Sequence, residues 1–80
     1  MADLKNTLSD IVKAIVDTPD EVVIVESETN DSITLTLTVA PDDMGMVIGK
    51  HGKIAKAIRS VIKAVAINAG ISKRVNVDIR

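Results

Sequence analysis

Hydrophobic residues recur at helical spacing in the first part of the chain. The recurring residues are three or four positions apart: Leu4, Leu8, Ile11 and Ile15. This spacing places their side chains on one face of an amphipathic helix. Thr18-Pro19 should end the helix, because the residue before a proline avoids the α region.

Two strands are predicted next, on either side of a turn. Val22-Val23-Ile24-Val25 is a run of β-branched residues, which favour extended backbone, and Thr29-Asn30-Asp31 is typical of a turn. Between residues 33 and 39 aliphatic residues alternate strictly with threonines, which indicates a strand with one buried and one hydrated face. We expect the two strands to pair as an antiparallel hairpin.

A short helix is predicted after the hairpin. Pro41 suits the first turn of a helix, and Asp42 and Asp43 would complement the positive end of its dipole. The helix should run to about Ile48, where Gly49 stops it.

A longer helix and a last strand complete the chain. The helix should run from Gly52 to about Ala69, and Val75, Val77 and Ile79 then alternate with polar residues. The order α-β-β-α-α-β predicts an α+β domain in which three helices pack on one face of a three-stranded sheet.

Composition narrows the classes of protein and of site. Eighty residues, 46% of them hydrophobic, suit a single folded domain over residues 1–80, and a core this small makes association with a second chain plausible. The sequence has no cysteine for a disulfide or thiolate metal site, and no aromatic residue on which bases could stack. No apolar run reaches membrane-spanning length, and we expect a cytoplasmic protein without a metal or cofactor.

The net charge of -1 conceals a strong segregation of charge. Residues 1–43 contain ten acids and two lysines, whereas residues 44–74 contain seven bases and no acid. This division predicts one surface that prefers anions. Mutual neutralisation of the two halves in the fold is the alternative.

Gly49-Lys50-His51-Gly52 lies between two predicted helices and is the candidate binding site. Glycine allows close approach by another backbone, and the amides at the start of the second helix favour phosphate oxygens. Lys50 adds a positive charge and His51 a donor. A connection that merely reverses the chain direction would use the same two glycines.

The helix after the loop has an apolar side and a basic side. At about 100° per residue, one side collects Ile54, Ile58, Val61, Ile62 and Val65, and this apolar side is most simply core. The other collects Lys53, Lys56, Arg59 and Lys63. A basic side is usually just solvated, but this one continues from Lys50 without an acid, which favours a track for an anionic strand.

The residues of this region resemble the KH domain, and specifically the KhpA family of small bacterial single-KH proteins. The resemblance rests on Val47-Ile48-Gly49-Lys50-His51-Gly52, on Val39–Gly45 before it and on Lys56-Ala57-Ile58-Arg59 after it. It implies a type II KH-like fold whose loop clamps the backbone of about four nucleotides of single-stranded nucleic acid.

The resemblance also implies roles for single residues and partners. Gly49, Lys50, His51 and Gly52 become the clamp, Lys53 and Lys56 extend it, and Ile48 and Ile54 become the floor under the bases or part of the core. Ala55 stands where many KH domains have a bulky aliphatic residue, which implies a shallow groove and weak base specificity. His51 is either a phosphate contact or simply an exposed loop residue.

KhpA-like proteins are RNA-chaperone-like, form homodimers through the helix after the loop, and pair with a larger KH-containing partner, KhpB or Jag, linked to cell elongation and division. The small or aliphatic residues Ala55, Ile62 and Ala66 are therefore the candidate dimer interface, unless the sheet or the first helix covers them. A dimerisation module with secondary RNA contact is the alternative function. One histidine and no cysteine give no catalytic constellation, so we expect no enzyme.

Overall fold

The predicted order of helices and strands is confirmed by the computed structural model, which describes residues 3–80. The elements are α1 (Leu4–Lys13), β1 (Val23–Glu28), β2 (Ser32–Thr38), α2 (Met44–Ile48), α3 (Lys53–Asn68) and β3 (Arg74–Ile79). Short 3₁₀ turns precede β1, α2 and α3, at Pro19–Glu21, Pro41–Asp43 and Lys50–Gly52. The α+β class and the type II arrangement are as predicted.

The sheet is mixed, with β2 at its centre. β1 pairs with β2 antiparallel, as the predicted hairpin requires, and β3 pairs with β2 parallel. The parallel pairing is possible because α2 and α3 form the long crossover between these strands. Both outer strands are therefore free along one edge.

One face of the sheet and the inner sides of α1 and α3 enclose the core. The buried residues of the sheet alternate along the strands, as in Ile33, Leu35 and Leu37 of β2, and the threonines between them point to the opposite face. The helices contribute Leu4, Leu8 and Val12 from α1 and Ala55, Ile58, Ile62 and Ala66 from α3. No helix within residues 3–80 is long and apolar enough to cross a membrane.

The first helix ends earlier than predicted and buries a different set of residues. Asp3 caps it by accepting a hydrogen bond from the Asn6 N–H at 3.1 Å, and the last helical residue is Lys13, well before Thr18. The chain then turns so that Val16 joins the core, while Ile15 is half-buried. The predicted apolar face is therefore shifted by one residue towards Val12.

The start of α2 is tied to the loop before β1 by a buried carboxylate. Asp43 is 2% exposed, and its Oδ2 accepts a hydrogen bond from the Thr18 N–H at 2.9 Å. The predicted role of Asp43 was that of a helix-dipole charge; this contact was not predicted, because 25 residues separate the partners. The prediction of one helix from Pro41 also needs correction, since a 3₁₀ turn precedes α2.

Candidate nucleic-acid interface

The loop between α2 and α3 is a tight turn held by its two glycines. Gly49 leaves α2 with φ 74° and ψ 175°, and Gly52 enters α3 with φ 74° and ψ 16°. The Gly49 N–H donates to the Gly45 carbonyl at 2.9 Å, and the Gly52 N–H donates to the Gly49 carbonyl at 3.2 Å. Both glycines lie at positive φ, where other residues are strained.

The two glycines serve different purposes. A Cβ at Gly49 would lie 2.6 Å from Ile54 Cγ1, so this glycine lets the turn pack directly on α3. At Gly52 a Cβ would meet no atom of the described chain within 4 Å. The backbone at Gly52 is therefore open to close approach by a ligand, whereas Gly49 is closed off by the protein itself.

His51 adopts a conformation that is uncommon for a residue with a side chain. Its φ of 58° and ψ of 24° are left-handed helical, and its side chain is exposed. Histidine tolerates this region better than most residues do, and such strain concentrates at functional loops. This strained residue directly precedes Gly52 in the turn.

Positive charge surrounds the open side of the loop. Lys50, Lys53 and Lys56 are exposed, and no side chain of residues 3–80 caps the N-terminus of α3 at Gly52. The first amides of this 16-residue helix thus face the loop together with the lysines. An arrangement of this kind binds phosphate oxygens.

The two predicted floor residues lie at the surface. Ile48 is 39% exposed and Ile54 is 38% exposed, although both were alternatively assigned to the core. Met46 of α2 is exposed to a similar extent. These side chains give the region around the loop an apolar patch on which a flexible chain can rest.

Arg59 connects the basic side of α3 to the free edge of β3. Its Nε donates to the Val77 carbonyl at 3.1 Å, and the guanidinium borders a polar cavity of about 320 Å³ that Lys63 and Asn76 also line. Arg59 was predicted to lie on the basic side of the helix, but its bond to β3 has no local signal in the sequence, since nothing local indicates which strand edge a helix approaches. The cations thus continue from the loop to the sheet.

The predicted dimer residues need correction. Ala55, Ile62 and Ala66 are 4%, 0% and 3% exposed within the single chain, and Ile62 and Ala66 belong to the core cluster shared with α1 and the sheet. A second chain cannot reach them while this fold is intact. Two of the three are small alanines, whereas Ile62 is among the largest fully buried side chains of the described residues.

The outward side of α3 carries a different apolar set. Val61 was predicted to be core but is 47% exposed, and Ala57 and Ala64 are exposed beside it at helical spacing. We call Ala57, Val61 and Ala64 the outer stripe. Ile67, further along the helix, is exposed as well.

Comparisons with known proteins agree on one family. Residues 5–79 match the family model described as "KhpA/KhpB, KH domain". The chain is 55% identical over 76 residues to the "RNA-binding protein KhpA" of Clostridium acetobutylicum, covering 95% of this chain and 99% of that one. It is 49% identical to that of Clostridium perfringens over equal shares, and 52% identical to that of Caldanaerobacter subterraneus over 86% and 89% of the two chains. No solved structure matches.

Proposed function

The chain belongs to the KhpA/KhpB family of KH domains, and from this premise we propose that it binds single-stranded RNA in the cytoplasm through the Gly49–Gly52 loop. In this proposal the RNA backbone lies against Gly52 and the start of α3. Lys50, Lys53 and Lys56 neutralise successive phosphates. The observation that carries the proposal is the unobstructed backbone at Gly52, which lies at the N-terminus of α3 next to the exposed Lys53.

We expect the protein to hold RNA with little sequence specificity. The 80 residues contain no aromatic ring on which a base could stack. Ala55 lies in the core and offers no bulky side chain to the groove. A binder of this kind suits an RNA-chaperone-like or post-transcriptional regulatory role, because it can act on many RNAs, and the proposal requires no catalytic activity.

A charge reversal in the loop tests the proposal. The double change Lys50→Asp and His51→Asp should abolish retardation of a single-stranded RNA in a gel, because it places two carboxylates beside the phosphates. Lys5→Asp with Asn6→Asp makes the same formal charge change at the exposed first turn of α1 and should leave retardation intact. Equal losses in both double variants would remove the loop from the mechanism.

A second candidate function, which the outer stripe of α3 favours, is dimerisation. Ala57, Val61 and Ala64 form an exposed row with no long side chain, and two such rows can approach closely. The partner in this proposal is a second copy of the chain or a larger KhpB/Jag-like KH protein. This proposal places the dimer interface on the outward side of α3 and not on the buried residues Ala55, Ile62 and Ala66.

Sedimentation tests the second candidate. A concentration-dependent dimer should form in the wild type and be lost in Val61→Glu, which places a charge at an exposed site without disturbing the core. Val23→Glu is the matched control, since Val23 has a similar exposure but lies on β1. A wild type that stays monomeric at every concentration would contradict this function.

A further inference from the structure

β1 has a free edge whose backbone groups are available for pairing. It is the outer strand in the order β1-β2-β3, and between Asp3 and Arg80 no strand pairs with its other side. The Thr29 N–H donates to the Ser32 carbonyl at 2.8 Å, so Thr29 belongs to a hydrogen-bonded pair. Because antiparallel pairs alternate, the N–H and C=O groups of Ile24, Glu26 and Glu28 point away from β2.

Two cavities follow this edge, in the groove between α1 and β1. The first, of about 280 Å³, is lined by Lys5, Asn6 and Ser9 of α1 and by Val22 and Ile24. The second, of about 790 Å³, lies around Glu26 and Glu28, borders on Asp3 and Lys5, and extends beneath the sheet to residues 70–73 after α3. Its apolar lining is Leu4, Ile33 and Ile71. Alternate side chains of a strand added to the edge would enter these cavities.

The opposite face of the sheet offers an apolar surface to the same added strand. Val23 and Val25 are 54% and 58% exposed, and they alternate with Ile24, which points towards the helices. An added strand would place its remaining side chains beside these valines. The free edge of β1 therefore offers an added strand backbone groups for pairing, cavities for side chains on one face, and the two valines for side chains on the other face.

The charge of the region decides the chemistry of the occupant. The charged residues that line the two cavities are Asp3, Glu26 and Glu28 against Lys5 and Lys73, a small excess of acid. Residues 3–28, which form α1, β1 and the connection between them, contain seven acids and two lysines. Glu28 forms an ion pair with Lys73, whereas Glu26, in the middle of the strand, is exposed. A second copy that presented the same edge would bring like charges together, which disfavours self-pairing.

We propose that the groove between α1 and β1 binds an extended, basic segment of a partner protein as a fourth strand of the sheet. Addition of a strand to a free edge beside a helix is a common mode of peptide recognition. β1 and β3 are opposite edges of the sheet, and the basic side of α3 meets β3. The two sites can therefore be occupied together, so that the protein links an RNA to a basic partner.

A synthetic peptide of alternating lysine and valine, as long as the six residues of β1, is the probe. Its binding to the full chain should slow hydrogen exchange at the amides of Ile24, Glu26 and Glu28. The same peptide with every amide N-methylated keeps its charge and side chains but cannot donate, and it should not bind. A glutamate–valine peptide should also fail, since the groove is acidic.

Two variants at Glu26 separate the contribution of backbone hydrogen bonding to peptide binding from the contribution of charge. Glu26→Pro removes an edge donor without touching the ladder to β2, and it should weaken peptide binding about tenfold. Glu26→Gln keeps the donor and removes the charge, and it should weaken binding only about threefold. Both variants should retard RNA like the wild type, which also shows that they fold.

Three results would overturn the proposal. The first is no binding of the lysine–valine peptide to the wild type. The second is that the N-methylated peptide binds as well as the unmodified one, or that Glu26→Pro binds the peptide as well as the wild type. Either result would mean that charge alone, without strand pairing, explains the binding. The third is exchange protection at Ile24, Glu26 and Glu28 that rises with protein concentration in the absence of peptide, which assigns the edge to a second copy.

Discussion

At the scale of single residues, Gly49 carries the strongest conformational requirement. Its φ of 74° with ψ of 175° is a region that only glycine occupies without strain, and its missing Cβ makes room for Ile54. We predict that Gly49→Ala lowers the free energy of unfolding by about 3 kcal/mol, and Gly52→Ala, which has strain but no clash, by about 1 kcal/mol. Urea denaturation measures both.

Gly45→Ala is the control for these two variants, because Gly45 lies within α2 and a Cβ there meets no atom of the described residues within 4 Å. Alanine favours the helix and should raise the free energy of unfolding by about 0.5 kcal/mol. If Gly49→Ala cost no more than Gly52→Ala, the packing of the turn on Ile54 would carry no energetic weight.

Among residues 3–80, His51 is the one non-glycine residue at positive φ, and relief of its strain should be measurable. His51→Gly is expected to raise the unfolding temperature by roughly 5 °C, since the left-handed region costs a side chain about 1 kcal/mol. His51→Asn should change little, because asparagine tolerates this conformation, and His51→Val should lower the temperature. Scanning calorimetry would reveal the ranking, and a valine variant as stable as the glycine variant would contradict it.

At the scale of elements, the hydrogen bond between Asp43 and Thr18 joins the start of α2 to the connection between α1 and β1. Asp43→Ala leaves the Thr18 N–H without its partner, and we predict a loss of about 2 kcal/mol in the free energy of unfolding. Asp43→Asn retains an acceptor oxygen and should lose less. Asp42→Ala, at the exposed neighbouring position, is the control and should be near neutral in the same urea titration.

The periodicity of the sequence predicted the helices and strands well, but it predicted less well which face of each element is buried. In β2 the strict alternation of aliphatic residues and threonines leaves one choice, and the buried residues are those expected. In α3 the large residue Val61 was assigned to the core, whereas Ala55 and Ala66 are buried. Hydrophobicity favours large side chains for the core, but which positions of α3 are buried depends on the elements that pack against the helix, and these are distant in the chain.

For the candidate site, the sequence predicted the location but not the tertiary contacts. Its glycines and lysines are local, so the motif Gly49–Gly52 and the charge pattern sufficed to locate it. The difference between the two glycines depends on where the Ile54 side chain lies, and the bond of Arg59 depends on the approach of α3 to Val77. These are tertiary facts that no spacing in the sequence encodes.

At the scale of the whole molecule, the segregated charges of the sequence become two sides of the fold. The bases of α3 extend from the loop to the β3 edge, while the acids concentrate around α1 and β1 at the opposite edge. The acidic side repels a polyanion, so it should orient an approaching RNA towards the loop. The alternative of mutual neutralisation would require many pairs between the two sets. Of the ion pairs found within residues 3–80, Lys73 with Glu28 joins the sets, and Arg80 with Asp78 lies outside both.

The salt dependence of RNA binding measures this segregation directly. Each phosphate contact to a single strand contributes about -0.7 to the slope of log K against log salt concentration. Replacing Lys53 and Lys56 together by glutamine should therefore make the slope shallower by about 1.4. Replacing Lys5 and Lys13 by glutamine changes the net charge equally but acts on the acidic side, and the slope should stay at its wild-type value. Equal changes in the two double variants would mean that RNA responds to total charge, and not to the side of the molecule on which the loop lies.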